Sequence, residues 1–356
     1  MTFPRWPMAN SGTRIIAFLR VTRVANSLMV FAATLIGGLL SMSGQIVAGS
    51  AQLIPGRGWF VGKSGGLLAG SEELPSVGSE LGTIFIAATS MFFLAAFGYA
   101  FNDYYDAQAD QINRPSRPIP SGALPRKTVL GVVVFCAFVT AVVSFFLRPA
   151  LGLSLAGIGL LVWLYSARIK RTGLPGNVLV GFFAGFTLLF GGFAAGDVRP
   201  ALFPALLAFL VNLPREILKD IQDLEGDGLA GSRSVASERG RIYALRLASV
   251  CALILVVLTF VPYLMGLYNH YYLAIAILLD AFLVWTAVRI WNPGAEEGAA
   301  SERRGEAVEA EGEGAVSSRE PGRSSSLEAE RSLATTIRIL KLTMLGGLLA
   351  IVLGSF

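Results

Sequence analysis

Residues Asn102–Gly122 read NDYYDAQADQINRPSRPIPSG, and they follow directly on an apolar run that closes with Tyr99, Ala100 and Phe101. A run of that kind is a candidate membrane helix, so the stretch reaches the water interface as the helix ends. Asn102, Asp106 and Asp110 stand four apart, and Asp103 falls three before Asp106. If the helix continues, all four polar groups lie on one side. Such a side is an oxygen-rich face suited to Mg²⁺, which takes a few carboxylates and completes its octahedron with water and substrate phosphate. Arg114 and Arg117 follow within reach of anionic oxygen, and Pro115, Pro118 and Pro120 then stop the helix. Without that chemistry, the stretch is an acidic helix end and a basic loop at a membrane boundary.

A second cluster repeats the pattern. In PREILKDIQDLEGD, Asp220, Asp223 and Asp227 show three-then-four spacing after the apolar run from Ala201 to Leu213. Carboxylates gathered without a cation repel and raise each other's pKa, so facing clusters make physical sense mainly with divalent metal between them. Arg215, Lys219 and Arg233 add positive charge around this cluster. A diphosphate held by Mg²⁺ and flanked by Lys or Arg is the arrangement these residues imply.

The composition sets the medium. Of 356 residues, 54% are hydrophobic, and the mean hydropathy is +0.62, so the repeated apolar stretches of near-spanning length mark an integral membrane protein. The formal charge of +5 is carried largely in loops beside apolar segments, with no basic stripe and interleaved aromatics, which argues against nucleic acid as a partner. Cys136 and Cys251 sit inside apolar segments, which supports neither a disulfide framework nor a thiolate metal site. His270 is the one histidine in the sequence, which argues against zinc chemistry and His-based triads.

Along the chain, residues 12–24 read as an amphipathic surface helix, and Arg14, Arg20 and Arg23 argue against a cleaved signal peptide. The first span is expected at 26–43, followed by an external loop at 44–80 rich in Gly and Ser. Further spans are expected at 82–101, 128–147, 150–166, 177–195, 201–217, 243–264, 271–291 and 338–354. The expected fold is all-α, a polytopic membrane protein of nine transmembrane helices. With the N-terminus inside, the internal loops hold Arg114, Arg117, Arg126, Lys127, Arg168, Lys170, Arg171, Arg233, Arg239 and Arg241. The positive-inside rule then sets both Asp clusters on the cytoplasmic side of the cell membrane. Residues 293–335 have almost no large apolar side chains and read as a disordered cytoplasmic linker between a bundle of eight spans, 1–292, and a ninth helix at 336–356. Asp280 lies near the middle of a span, where a charge usually faces a cavity or a partner. His270, in YNHYY, reads as an interfacial residue.

The two clusters, their spacing and the helix count resemble the UbiA superfamily of intramembrane prenyltransferases, over nearly the whole chain outside 44–80 and 293–335. NDYYDAQAD and KDIQDLEGD carry the likeness. It implies nine helices around a central cavity and two Mg²⁺ ions holding an isoprenyl diphosphate between the cytoplasmic Asp motifs. On that pattern Asn102, Asp106 and Asp110 serve one side of the metal site, and Asp223 and Asp227 the other. Asp103 and Asp220 match the motif and serve either as ligands or as groups that orient Lys219 or an arginine. Arg23 and Asn26, in RVAN, resemble the family's Arg-x-x-Asn entry to the first span, which reaches toward the diphosphate or acceptor; a snorkelling anchor is the alternative. Tyr165, Ser166 and Lys170, in YSARIK, resemble the family's loop after the fourth span, with Lys170 on phosphate and Tyr165 bracing a leaving oxygen or lying in the interfacial aromatic belt.

Within the superfamily, REILKDIQDLEGD resembles the archaeal-type digeranylgeranylglyceryl phosphate synthases, and so do FGGFAAGDV at 190–198 and RILKLTMLGGLLA near the C-terminus. The likeness implies geranylgeranyl diphosphate as donor and a prenylglyceryl phosphate as acceptor. Gln222 departs from the Glu frequent in that branch, and the first motif also resembles chlorophyll synthases. Prenylation of an aromatic quinone precursor or of a tetrapyrrole therefore stands as a second reading. A cation-binding transporter is a third, of another class. Transporters set charged sites near mid-membrane, whereas these clusters lie at one surface beside basic loops, which argues against transport.

Overall fold

The computed structural model describes residues 11–51, 77–224, 228, 231, 233–291 and 321–355. Among them, nine helices are long and apolar enough to cross a membrane, which is the expected all-α architecture. A short helix α1, Ser11–Val21, precedes α2, Val24–Ala51, and α3, Val77–Tyr105. Asp110–Asn113 forms α4. Then come α5, Arg126–Ser144, α6, Pro149–Ala167, α7, Leu174–Ala194, and α8, Leu202–Gln222. Val235–Arg239 is α9, Arg241–Thr259 α10, Val261–Leu264 α11, His270–Trp291 α12 and Pro321–Gly354 α13. Pro149 occupies the first turn of α6, where its missing N–H costs nothing. Ser234 and Ser237 form a reciprocal capping box at the start of α9.

Two boundaries differ from the sequence expectation. α2 continues to Ala51 and α3 starts at Val77, so both ends of the expected 44–80 loop are helical; 52–76 lie outside the described residues. α13 starts at Pro321, inside the expected 293–335 linker, because Leu327, Glu328, Ala329 and Glu330 are good helix formers and Leu333 is buried in a core. Residues 292–320 lie outside the described residues. The replaceable segment therefore ends near 320, not 330. Exchanging 296–320 for a short Gly/Ser linker is expected to leave turnover in detergent within about twofold of the original. Loss of turnover in a folded variant would assign that segment a role.

The chain divides into two compact units, Met1–Lys170 with Phe182–Leu206, and Arg171–Gly181 with Leu207–Phe356. In the first, Ile84, Ala87, Met91 and Leu94 of α3 pack with Leu151, Leu155 and Ile158 of α6 and Phe190 of α7. Ala100 and Phe101 of α3 pack with Val129, Val133 and Cys136 of α5 and with Ala17 and Val21 of α1. α2 and α7 touch backbone to backbone at Gly37, Gly38 and Gly191. Hydroxyls inside these helices return to the backbone one turn earlier, as Thr34 does to the Val30 carbonyl at 2.9 Å and Ser41 to that of Gly37 at 2.9 Å. Large apolar side chains such as Phe138 and Leu153 are exposed, as a lipid-facing surface requires.

In the second unit, Ile217 and Leu218 of α8, Ala244, Leu245 and Ala248 of α10, Leu283 of α12 and Leu340 of α13 share one core. Asp280, buried on α12, accepts a hydrogen bond from the Thr259 hydroxyl at 2.6 Å, and the Tyr272 hydroxyl donates to the Thr259 carbonyl at 2.8 Å. That mid-span carboxyl thus faces a partner from α10. His270 is exposed, with Nδ1 2.9 Å from the Tyr263 hydroxyl, in keeping with an interfacial residue.

Candidate functional site

The acidic stretch of the first unit leaves α3 at Tyr105 without losing its helical course. The Asp106 N–H donates to the Asn102 carbonyl at 2.8 Å, and the Asp110 N–H to that of Asp106 at 2.9 Å. The expected common face forms, and its four polar groups fall into two pairs. In one pair, Asn102 Nδ2 donates to Asp106 Oδ2 at 2.7 Å, and the Lys170 ammonium binds that same carboxylate oxygen. In the other, Arg117 Nη1 stands 2.5 Å from Asp110 Oδ2 and 3.2 Å from Asp103 Oδ1. Arg23 Nη2 adds a bond to Asp103 Oδ1 at 2.8 Å.

Arg23 reaches Asp103 through an uncommon backbone state. It has a φ of +44°, in the left-handed region that side chains disfavour, and it sits where α1 gives way to α2. Its guanidinium also lies 5.0 Å from the centre of the Tyr99 ring, a cation–π distance. The bond to Asp103 and the ring contact stabilise a turn that would otherwise be strained. Asn26 follows one turn later, its N–H on the Arg23 carbonyl at 2.8 Å.

Burial differs across the set. Asp103 and Asp110 are buried, 3% exposed each, and burial pushes the Asp110 carboxyl up from its ordinary value, with Arg117 offsetting only part of the rise. A raised pKa keeps the proton on to higher pH, so any cation bound at Asp110 is held less tightly as pH falls. The Asp106 and Lys170 side chains are 14% and 29% exposed, so solvent and a soluble anion reach them. Arg114 is half-buried beyond Asp110, and its N–H donates to the Asp110 carbonyl at 2.9 Å.

Tyr165 and Ser166 lie in the last turn of α6, five and four residues before Lys170. Tyr165 meets Phe183 edge to face at 6.0 Å between ring centres. Phe182, Phe186 and Phe190 extend the aromatic row along α7. The buried Ser166 hydroxyl oxygen has no hydrogen-bond partner among the described residues.

In the second unit the acidic segment begins on the last turns of α8, after Pro214 interrupts that helix's hydrogen-bond ladder. Asn177 Nδ2, on the first turn of α7, donates to Asp220 Oδ2 at 2.8 Å. Glu216 is buried and takes Arg215 Nη1 at 2.6 Å and Lys219 Nζ at 2.7 Å. The Asp223 N–H donates to the Lys219 carbonyl at 3.0 Å. Asp227 lies outside the described residues. Glu216 and Asn177 are the two polar side chains that the motif reading misses. Glu216 was findable, since it stands four before Asp220 on the same helix face. Asn177 carries no motif and reads only as the first residue of an apolar span.

The donors in both units are carboxylate and amide oxygens, the hard ligands that Mg²⁺ takes. Among the described residues no three Asp, Glu, His or Cys side chains converge as a metal-holding group. Lys170 and Arg117 hold Asp106 and Asp110 instead. Because Mg²⁺ uses one or two carboxylates and fills its shell with water and phosphate, the donor set fits a metal that arrives with an anionic ligand. Asp106, with Asn102 beside it, is the most accessible such ligand of the first unit, and Asp220 and Asp223 are the described candidates of the second.

Comparison with known proteins gives a consistent picture. The model of the UbiA prenyltransferase family matches residues 60–303. A digeranylgeranylglyceryl phosphate synthase of Methanopyrus kandleri is 39% identical over 225 residues, 63% of this chain and 80% of that protein. One of Thermococcus kodakarensis is 32% identical over 275 residues, 77% of this chain and 86% of that protein. Among solved structures, a digeranylgeranylglyceryl phosphate synthase superposes with a TM-score of 0.61 at 22% identity, over 96% of this chain and 98% of that one. A UbiA homologue from Aeropyrum pernix superposes with a TM-score of 0.59 at 14% identity, over 90% and 98%.

Proposed function

This chain belongs to the UbiA prenyltransferase family, and from that membership we propose that it transfers a geranylgeranyl group from its diphosphate to the free glycerol hydroxyl of a prenylglyceryl phosphate. It is a multi-pass membrane prenyltransferase, so the transporter reading is set aside. The observation that carries the proposal is that each unit holds a carboxylate steadied by an amide: Asp106 by Asn102, with Lys170 on the same oxygen, in the first, and Asp220 by Asn177 in the second, where Lys219 sits on Glu216. Such groups recognise a metal-bound anion and its phosphate oxygens together. The digeranylgeranylglyceryl phosphate synthases among the relatives support the acceptor.

The chemistry assigned to the residues is as follows. Bound Mg²⁺ supplies charge neutralisation as the allylic carbon–oxygen bond breaks. Asn102, Asp106 and Asp110 of the first unit, and Asp223 and Asp227 of the second, would each serve as ligands to such an ion, with Asp103 and Asp220 as further ligands or as groups that orient them. Lys170, Arg117, Arg114 and Lys219 meet phosphate oxygens, with Arg23 and Asn26 at the acceptor's entry. The diphosphate leaves with the electron pair of the broken bond. The acceptor hydroxyl oxygen then forms the ether bond and gives its proton to the departing diphosphate or to water. Ionisation before attack lets a weak hydroxyl nucleophile react without a strong side-chain base. Tyr165 and the Phe182–Phe190 row keep water from the allylic cation. The charge bias of the loops supports a site that faces the cytoplasm.

The test is an acceptor panel with purified protein, Mg²⁺ and labelled geranylgeranyl diphosphate, read by product mass. Geranylgeranylglyceryl phosphate is expected to be alkylated at its free hydroxyl, with the dephosphorylated analogue at least about tenfold poorer in kcat/KM, the worth of one charge-assisted contact. Lys170→Ala is expected to raise KM while leaving the protein folded. Equal use of both acceptors removes the phosphate argument. Product on an aromatic or tetrapyrrole acceptor alone replaces the acceptor and keeps the prenyl transfer.

A further inference from the structure

One short stretch of chain, 171–177, grips the second acidic segment at two places. At its far end the Asn177 carboxamide, 6% exposed, donates to Asp220 Oδ2 at 2.8 Å. At its near end the Arg233 N–H donates to the Arg171 carbonyl at 3.1 Å, and Thr172 pairs with Arg233 in a parallel bridge. Gly173 adopts a φ of +74° there, and a Cβ on it would lie 3.5 Å from the Ser234 Cα. That left-handed turn, which glycine adopts freely, brings the strand-like pair together. Asp220 and Arg233 bracket the stretch that carries Asp223 and Asp227.

A leucine would fill the first turn of a membrane helix at lower cost than a buried carboxamide. The polar side chain at 177 is therefore explained by what it bonds. An amide donor fixes one carboxylate oxygen in place without cancelling the charge, whereas the arginines on Asp103 and Asp110 neutralise as they hold. The Asn177 amide thus fixes the direction of one Asp220 oxygen and adds no charge of its own. Asn102 makes the same kind of bond to Asp106 in the first unit, where the Lys170 ammonium also binds that oxygen.

We propose that residues 171–177 form a strap that ties Asp220 at one end and Arg233 at the other, and that Asn177 is the positioning residue that orients Asp220 toward the divalent cation. The proposal rests on the Mg²⁺-diphosphate reading above.

Mn²⁺ serves as the probe, its binding to the full-length protein in detergent with pyrophosphate read from the resonance of the free ion. Asn177→Leu is expected to weaken Mn²⁺ about tenfold or more, the usual loss when an outer-shell partner is removed, with the unfolding temperature unchanged. On an Asp220→Asn background the same change is expected to cost nothing further, because the amide acts through that carboxylate. If Asn177→Leu does not fold, Asn177→Ser, small and polar, carries the same expectation. Mn²⁺ affinity unchanged in a folded variant overturns the strap, as does an equal loss with and without the Asp220 carboxylate. If Asp106→Ala and Asp223→Ala lose Mn²⁺ while the Asn177 variants keep it, the strap falls and the prenyltransferase site stands. If the unaltered protein binds no Mn²⁺ and forms no product, the reading beneath the strap falls and takes the strap with it.

Discussion

Asp106→Ala and Asp223→Ala are each expected to lower turnover by about a thousandfold, equivalent to about 4 kcal/mol of lost transition-state stabilisation, with folded protein still recovered in detergent. Asp106 joins the Asn102 amide and the Lys170 ammonium, so its loss removes a candidate metal ligand and releases Lys170, the proposed phosphate contact, from its place. Both partners of that ion pair are reached by solvent more than Asp103 is, so breaking it is expected to cost the fold less than removing Asp103 does. Asp103→Ala is the informative contrast. Its side chain is 4% exposed beneath Arg23 and Arg117, and removing it leaves the left-handed turn at Arg23 without its ion pair. That variant is expected to lose stability between the ~1 kcal/mol of exposed pairs and the ~3 kcal/mol or more of buried ones. Product formation and thermal unfolding, measured on the same three preparations, separate the roles. Near-normal Mg²⁺-dependent turnover in Asp106→Ala or Asp223→Ala would count against both as ligands.

These roles were visible in the sequence to different depths. Hydropathy located the nine spans because the cost of an exposed charge in lipid acts on every residue of a window. It is silent on where a helix ends in water, and so α2 runs on to Ala51 and α13 begins at Pro321. The common face of Asn102, Asp103, Asp106 and Asp110 followed from helical period alone. Its division into two pairs did not, because Lys170 lies 64 positions from Asp106 and Arg23 lies 80 from Asp103. Arg117 was legible as a residue within reach of anionic oxygen, and the anion it meets is the protein's own Asp110. Asn177 was hidden for a related reason. Its partner is 43 residues away, and no local pattern distinguishes it from any polar residue at the mouth of a span. The left-handed turn at Arg23 has no signature either, since only the contacts to Asp103 and Tyr99 account for it.

Gly191→Ala is expected to cost the fold about 3 kcal/mol or more, the upper range for overpacking, and to remove most folded protein from a detergent extract. A Cβ at Gly191 would lie 1.9 Å from the Thr34 carbonyl oxygen, and one at Gly37 would lie 2.0 Å from that of Leu188. Both obstacles are backbone, so no rotamer change relieves them and α2 and α7 must move apart. Helices in lipid gain no hydrophobic drive toward each other, and close approach through small residues supplies the contacts that hold them. Parting the pair also disturbs Phe190, fully buried one residue before Gly191 and stacked on Phe186 at 5.8 Å, so the aromatic row on α7 shifts with it. Gly37→Ala is expected to behave in the same way. Gly131, on α5 with nothing within 4 Å of its would-be Cβ, is the control. There alanine is expected to be neutral or to stabilise by up to about 1 kcal/mol, through helix propensity. Recovery and unfolding temperature of the three variants read the difference directly, and a Gly191→Ala protein as stable as the Gly131→Ala one would mean that the two helices do not meet at these glycines.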